Sequence, residues 1–237
     1  LGSHALADSF LEEKDLSISE PIFPLNVMLD CDTGLLQNEY LVEASIRYNW
    51  VNYSYTSSNS KASKRHFKNL AQSLSQYIKK GTRVLEKGIK AEIGVFSENV
   101  DYSENFLDSS FDLIIANNVL NHSLNPVRFF TDAKAALSDS GLISIEVPYW
   151  LRQVERYRFD MIYHEHTSYF SAKAIKKLAD FSGLVVQKIS EIETHGGSLR
   201  IELSKRGTED INLVGMIEKE EKAGIFTTGF YETWQLN

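Results

Sequence analysis

The stretch FDLIIANNVLNH, residues 111–122, decides the fold class of this 237-residue chain. Leu113, Ile114 and Ile115 form a continuous apolar run, which is typical of a strand buried on both faces. Polar side chains follow it directly, namely those of Asn117, Asn118, Asn121 and His122. Ligands of open α/β sheets bind beyond the carboxyl ends of the strands, so these groups are well placed for a ligand. A loop in which the asparagines cap a turn explains the pattern equally well.

Outward from this stretch, short apolar runs alternate with segments of helical periodicity. The predicted strands are 83–86, 91–96, 111–120, 141–149, 184–193 and 198–206. The predicted helices are 62–79, 126–138, 171–183 and 216–226. Gly81 is expected to end the first of these helices, and Ser171 and Gly183 are expected to cap the third. The alternation predicts an α/β sheet, and the short THGG connection between the last two strands predicts antiparallel pairing at its end.

Composition restricts the class of protein. The net charge of -7 argues against nucleic-acid binding, which usually needs a basic surface. No apolar run is long enough to span a membrane, and the first residues do not have the pattern of a secretory signal. The single cysteine, Cys31, excludes an internal disulfide and fits a reducing compartment. We therefore expect a cytoplasmic, monomeric protein with no membrane or nucleic-acid partner.

Titratable and aromatic side chains are concentrated in YHEHTSYFS, residues 163–171, which holds two of the chain's 6 histidines. The spacing of His164 and His166 does not match a zinc motif. Proton transfer is the better use, because an imidazole titrates near neutral pH and the adjacent Glu165 can orient the ring. Tyr163 can donate a hydrogen bond to an oxyanion. A purely structural polar network is the alternative.

Two further stretches place polar groups at the same predicted edge of the sheet. Glu146 and Tyr149 end the strand GLISIEVPY and are expected to face the crevice beyond it; the alternative is that Glu146 is simply solvated. In THGGSLR, His195 can face a site and Gly196 permits close approach of the backbone. For the second stretch, a hairpin turn that needs only its glycines is the favoured explanation.

Together, these stretches resemble one family, the S-adenosylmethionine-dependent C-methyltransferases of nucleotide-linked deoxy-keto sugars. The matching segments occur in the family's order from residue 1 to about residue 206, and YHEH and HGGSLR are the most specific of them. The segments are LGSHALADSF, FPLNVMLDCDTGLLQ, YSYTSSNS, VLE, FDLIIANNVLNH, LISIEVPY, YHEHTSYFS and THGGSLRIELSKRG.

The resemblance implies a class I methyltransferase-like (Rossmann-like) sheet and methylation of a carbon next to the ketone of a sugar. It places Tyr163, Glu165, His166 and His122 in the catalytic cluster, with His166 as the base and Tyr163 as its partner or as the oxyanion donor. Asn117, Asn118 and Glu86 would border S-adenosylmethionine. The sugar would lie near Tyr55, and we add Glu146, Tyr149, His195 and Gly196 as candidate substrate contacts.

Three features depart from the family pattern. VLE is followed by KGIKAEIG instead of the glycine-rich cofactor loop, which leaves Glu86 as its only remnant. Asp30 and Thr33 stand where the second pair of zinc-binding cysteines is expected, so we predict no zinc. The family continues beyond residue 237 into a further domain, so the chain looks truncated. We divide it into an N-terminal module (1–60), a methyltransferase-like domain (61–208) and the start of a C-terminal region (209–237).

Two functions of different classes remain open at this point. The first is a sugar C-methyltransferase, and a methyltransferase for another small acceptor is a variant of it. The second is a degenerate, non-catalytic homologue that binds a nucleotide sugar or a protein partner. The altered cofactor loop favours the second, whereas the intact YHEH and HGGSLR favour the first.

Overall fold

The computed structural model describes residues 1–7, 10–49, 60–87 and 111–234. Within these ranges the chain forms ten strands and seven α helices. The strands are β1 Ser3–Ala5, β2 Ile22–Pro24, β3 Val27–Leu29, β4 Leu36–Asn38, β5 Val84–Lys87, β6 Phe111–Asn117, β7 Leu137–Pro148, β8 Ser168–Tyr169, β9 Val185–Ile192 and β10 Ser198–Ser204. The helices are α1 Ala44–Asn49, α2 Lys61–Leu74, α3 Pro126–Ala136, α4 Trp150–Glu155, α5 Ala172–Ser182, α6 Ile211–Ala223 and α7 Thr228–Trp234.

The central sheet has five strands in the order β5-β6-β7-β10-β9. β5, β6 and β7 are parallel, whereas β10 runs antiparallel to both β7 and β9. The carboxyl ends of β5, β6, β7 and β9 therefore meet the amino end of β10 at one edge. The α/β class and the antiparallel pairing of the last two strands are confirmed.

Alternation along the strands separates the two faces of the sheet. Leu113 on β6 packs with Leu142 on β7 and with Leu70 and Leu74 of α2, in a small cluster of buried residues. The opposite face carries Ile114 and the larger core, which includes residues of α3 and α5. Helices thus cover both faces of the sheet, as its mainly apolar strands require.

Local capping explains most helix boundaries. The Ser171 side chain accepts a hydrogen bond from the Ala174 N–H, and Gly183 ends α5 in the left-handed conformation, as predicted. The prediction that α2 continues to Gly81 is wrong, because the helix ends at Leu74. Ser73 and Ser75 there donate to backbone carbonyls three residues earlier, which competes with the regular ladder.

Other boundaries differ modestly from expectation. β7 begins at Leu137, four residues before the predicted strand, directly after α3. The charged helix begins at Ile211 and ends at Ala223, and α7 follows it. The predicted strand at 91–96 lies outside the described residues.

A second, three-stranded sheet has the order β3-β4-β8 and joins the N-terminal module to the segment that contains YHEH. Before β4, Asp30 closes a turn by accepting from the N–H groups of Asp32 and Thr33. Gly34 completes the turn at a φ of 72°. The described ranges contain no group of three His, Cys, Asp or Glu side chains that could hold a metal ion. They likewise contain no helix that is both long and apolar enough to cross a membrane.

Candidate functional site

Two clusters of polar side chains lie at the carboxyl edge of the central sheet. We call the first, formed by Tyr163, His166 and His122, the phenol cluster. The second, formed by Glu146, His66, Arg200 and Thr194, is the carboxylate cluster. Each contains an imidazole between two hydrogen-bond partners, and those partners differ.

In the phenol cluster, His166 is bonded at both ring nitrogens. Its Nδ1 lies 3.0 Å from the Met161 carbonyl oxygen, and its Nε2 lies 2.9 Å from the Tyr163 hydroxyl. Because a carbonyl only accepts, Nδ1 carries the hydrogen, and in the neutral ring Nε2 accepts from the phenol. The His122 ring stands edge-on to His166, with centroids 5.0 Å apart. The structure therefore brings three of the four predicted catalytic side chains together.

Glu165, the fourth, does not orient His166. Both nitrogens of the His166 ring have other partners, so the Met161 carbonyl, not the Glu165 carboxylate, fixes the tautomer. The Glu165 side chain is itself buried. Its backbone carbonyl accepts from the His122 ring and from the Arg47 guanidinium. The expectation that this glutamate orients the adjacent imidazole is corrected on these grounds.

The N-terminal module holds the phenol cluster in place. The Asn38 amide donates to the carbonyl oxygens of Tyr163 and His166, at 3.2 and 3.1 Å, and accepts from the Tyr169 hydroxyl at 3.1 Å. Arg47, which is buried, donates to the His122 carbonyl. Two residues at 1–60 therefore set the conformation of the segment that carries the predicted base.

Burial keeps both imidazoles of this cluster neutral at physiological pH. Desolvation lowers the pKa of His166 to about 4, and the bond to Met161 only partly opposes it. Desolvation, followed by the charges of His166 and Arg47, lowers the pKa of His122 well below its usual value. A neutral ring, which has one unprotonated nitrogen, is the form that accepts a proton.

The carboxylate cluster is centred on Glu146, whose side chain is fully buried. One carboxylate oxygen lies 2.5 Å from Arg200 Nε, and the other lies 2.6 Å from His66 Nε2. His66 Nδ1 in turn lies 3.0 Å from the Thr194 hydroxyl. Glu146 is therefore not solvated, and its polar surroundings come from α2 and β10.

Tyr149 does not face this crevice. It is three residues beyond Glu146, and its side chain lies fully buried on the other side of the sheet, beside the Glu220 carboxylate of α6. Burial, then the Glu220 charge, raise its pKa. Glu220 also accepts from the backbone N–H groups of Ala172 and Lys173 at the start of α5. The expected role of Tyr149 at the site is corrected to a structural one.

The turn after β9 brings His195 to the site. His195 adopts a φ of 53° and is exposed, and partial desolvation of its ring, followed by the His66 charge, lowers its pKa. Gly196, at a φ of 78°, has its carbonyl bonded to Arg156, and a Cβ there would meet the Arg158 guanidinium. Packing thus explains the glycine, and contact of Gly196 with a substrate stays a prediction.

The cofactor residues lie at the ends of β5 and β6. Glu86 is exposed on β5, and Asn117 and Asn118 end β6 beside Glu146. The buried side-chain oxygens of both asparagines lack a hydrogen-bond partner among the described residues. Buried acceptors of this kind are normally satisfied, so they fit a ligand with amino groups, such as S-adenosylmethionine. Tyr55, the predicted sugar contact, lies outside the described residues.

Sequence reasoning missed several residues of the site. His66 and Thr194 were not singled out, nor were Asn38 and Arg47 in the N-terminal module. One signal was available for His66: it stands four positions before the apolar Leu70, on the packed face of an amphipathic helix. Asn38 gives no such signal, because its partners are 125 and 128 positions away.

Comparison with known proteins shows the family of the chain. A family model described as "Methyltransferase domain" matches residues 31–189. The C-methyltransferase NovU of Streptomyces niveus is 24% identical over 234 residues, and the match covers 84% of this chain and 55% of NovU. The chain thus spans about half the length of that relative.

One similar solved structure is a SAM-dependent methyltransferase of Thermotoga maritima, described as a possible histamine N-methyltransferase. Its TM-score is 0.41 at 15% sequence identity, and the match covers 60% of this chain and 90% of that protein. The PH0226 protein of Pyrococcus horikoshii has a TM-score of 0.48 at 16% identity and covers 67% and 98%. Because the family model matches more than half of its residues, the chain belongs to the methyltransferase-domain family, and its methyl donor is S-adenosylmethionine.

Proposed function

We propose that this chain is, or is part of, a C-methyltransferase that methylates a carbon next to a ketone in a nucleotide-linked deoxysugar. The observation that carries the proposal is the 2.9 Å contact between the Tyr163 hydroxyl and His166 Nε2. Support also comes from the similarity to NovU, a C-methyltransferase, although that protein is nearly twice as long.

Carbon is a weak nucleophile until it loses a proton, so a C-methyltransferase needs a base. Tyr163 is only partly buried, whereas His166 behind it is 6% exposed. The phenol is therefore the member of the pair that meets the substrate. As its oxygen takes the α-proton, its own proton passes to His166 Nε2, and the electrons of the C–H bond form the enolate.

Electrostatics favours this transfer once the acceptor is bound. Burial by itself disfavours the imidazolium form of His166. An enolate formed nearby has the opposite charge, and the low dielectric of the site strengthens the attraction between the two. The negative charge of the enolate therefore stabilises the protonated form of His166.

Asn117, Asn118 and Glu86 would hold the cofactor at the neighbouring strand ends. S-adenosylmethionine, when bound there, supplies an activated methyl group. The remaining tasks of the protein are to align the carbanion and to exclude water, and correct alignment is itself worth several orders of magnitude in rate.

The test is methyl transfer to keto-deoxysugars linked to thymidine diphosphate, with a donor labelled with ¹³C in its methyl group. We expect a product in which the labelled carbon is coupled to a ring carbon in the NMR spectrum, together with release of S-adenosylhomocysteine. A label attached to oxygen or nitrogen would contradict C-methylation. Absence of both transfer and S-adenosylhomocysteine binding would favour the non-catalytic homologue.

A further inference from the structure

A cavity of about 630 Å³ opens between the first turns of α2 and the turn that follows β9. Its size is within the range of small-molecule sites. Six of its polar lining residues matter here: Ser63, Arg65, His66, Asn69, His195 and Arg200. None of the predicted catalytic residues is among its lining residues.

Among its charged lining residues the cavity has two arginines, Arg65 and Arg200, and one acid. Glu193 is the acid among its lining residues, and that side chain is 89% exposed and paired with Arg156. Glu146 lies beneath the cavity with both carboxylate oxygens already bonded. Its negative charge is therefore directed at His66 and Arg200 and not at an incoming ligand.

Glu146 also fixes the orientation of one guanidinium group. Arg200 binds the carboxylate through Nε, and its side chain is 18% exposed. Its two terminal amino groups have no hydrogen-bond partner among the described residues. Arg65 is exposed on α2 and has no ion pair there either. A planar guanidinium with its fork open is well suited to bind two oxygens of a phosphate at once.

We propose that this cavity binds the diphosphate of the acceptor through Arg65 and Arg200, with Glu146 as the residue that positions Arg200. The inference rests on the proposed function, in which the acceptor is a nucleotide-linked sugar. The location is suitable, because Glu146 beneath the cavity pairs with Asn117 of β6, and the segment that follows β6 carries His122 of the phenol cluster. A diphosphate held here would leave the attached sugar near Tyr163.

A carboxylate is the competing anion, and S-adenosylmethionine carries one. The experiment therefore has two arms, each followed by titration calorimetry on the full chain at low salt. One arm titrates inorganic pyrophosphate and thymidine diphosphate, and the other titrates S-adenosylhomocysteine. The variants are Arg65→Gln and Arg200→Lys. The matched control is Arg206→Gln, because the Arg206 side chain is 81% exposed and does not line the cavity.

We expect Arg65→Gln and Arg200→Lys each to weaken pyrophosphate and thymidine diphosphate binding roughly tenfold or more, as loss of a charged hydrogen bond does. Arg206→Gln should change it less than about twofold. S-adenosylhomocysteine affinity should be the same in all four proteins. Because Arg65 is exposed, its variant tests the proposal even if Arg200→Lys folds poorly.

Three results would overturn the inference: no heat with either phosphate in the unmodified chain, equal phosphate affinity in the variants, or a loss confined to S-adenosylhomocysteine. The last result would assign the arginines to the cofactor's carboxylate. Binding is measured without turnover, so the result for phosphate binding does not depend on whether the protein transfers a methyl group. Phosphate binding that depends on Arg65 in a protein that transfers no methyl group would refute only the proposed function.

Discussion

His166 and His66 lie at the same edge of one sheet and are hydrogen-bonded in the same pattern, yet their partners suit them to different tasks. Each ring has one nitrogen against an acceptor and the other against a hydroxyl. For His166 the acceptor is a neutral carbonyl and the hydroxyl is a phenol. For His66 the acceptor is the Glu146 carboxylate and the hydroxyl belongs to Thr194.

The acidity of the hydroxyl separates the two clusters. A phenol has a pKa of about 10 in water and can pass on a proton near neutral pH, whereas the aliphatic hydroxyl of threonine does not ionise in that range. Glu146 is moreover shared with Arg200, which spreads its charge over two partners. The comparison teaches that the partners of an imidazole, not its presence, indicate whether it transfers protons or organises a binding surface.

The largest effect should come from breaking the phenol cluster. Tyr163→Phe and His166→Gln should each lower methyl transfer by about 10²–10⁴-fold, the usual loss for a general base. Because the two side chains act as one unit, the double variant should be no slower than the slower single variant. Steady-state rates of the four proteins complete the cycle.

His164→Gln is the control for that series, because His164 belongs to the same segment but bonds to the Phe23 carbonyl. A glutamine amide can donate the same bond, so the rate should stay within about tenfold. Losses that multiply in the Tyr163/His166 double variant would mean that the two residues act independently.

The carboxylate cluster should matter more for stability than for enolisation. Glu146→Ala leaves Arg200 and His66 without their common partner, and we expect a loss of roughly 3–4 kcal/mol in the free energy of unfolding. Asp139→Ala removes an exposed partner of Lys205 and should cost less than about 1 kcal/mol. Urea denaturation measures both. Equal losses in the two variants would show that the buried Glu146 contributes no more to the free energy of unfolding than the exposed Asp139.

Acid should destabilise the protein through the phenol cluster. The pKa of His166 is about 4 in the folded state, below the ordinary 6.5. Between pH 4 and pH 6.5 this residue therefore binds a proton in the unfolded chain but not in the folded chain. The contribution of His166 to the free energy of unfolding should be fully present above pH 6.5. It should fall by roughly 3 kcal/mol as the pH drops to 4. Denaturant midpoints across this window should fall less steeply in His166→Gln, and an unchanged slope would refute the assignment.

A smaller effect should follow a change in the N-terminal module. Asn38→Asp replaces the amide that donates to the Tyr163 and His166 carbonyls with an acceptor that repels them. We expect a loss of roughly 1–3 kcal/mol in stability, together with a lower rate of methyl transfer. Asn26→Asp is the matched control, because the Asn26 amide is exposed and donates to the Glu39 side chain, far from the phenol cluster in the sequence. Equal effects of the two variants on stability and on the rate of methyl transfer would show that Asn38 does not position the phenol cluster.

Local signals explain which features could be predicted from the sequence. The apolar run of β6 and the caps of α5 depend on neighbouring residues, and so does the pairing of Tyr163 with His166, three positions apart. The end of α2 depended on two serine side chains whose competition with the helix has no periodic pattern.

Long-range pairs account for the rest. His66 and Glu146 are 80 positions apart, and nothing in either segment refers to the other. Tyr149 was assigned to the crevice because it follows the same strand as Glu146, but an odd spacing along a strand reverses the face. That spacing could have been read from the sequence, and the structure confirms it by placing Tyr149 beside Glu220.

The decisive measurement is exchange of the sugar's α-hydrogen with deuterated solvent, in the presence of S-adenosylhomocysteine, which permits enolisation without methyl transfer. The unmodified chain and His66→Gln should both incorporate deuterium, whereas Tyr163→Phe and His166→Gln should not do so measurably on the same time scale. Undiminished incorporation in the last two variants would contradict the assignment of the base to the phenol cluster, and its loss in His66→Gln alone would place the base in the carboxylate cluster.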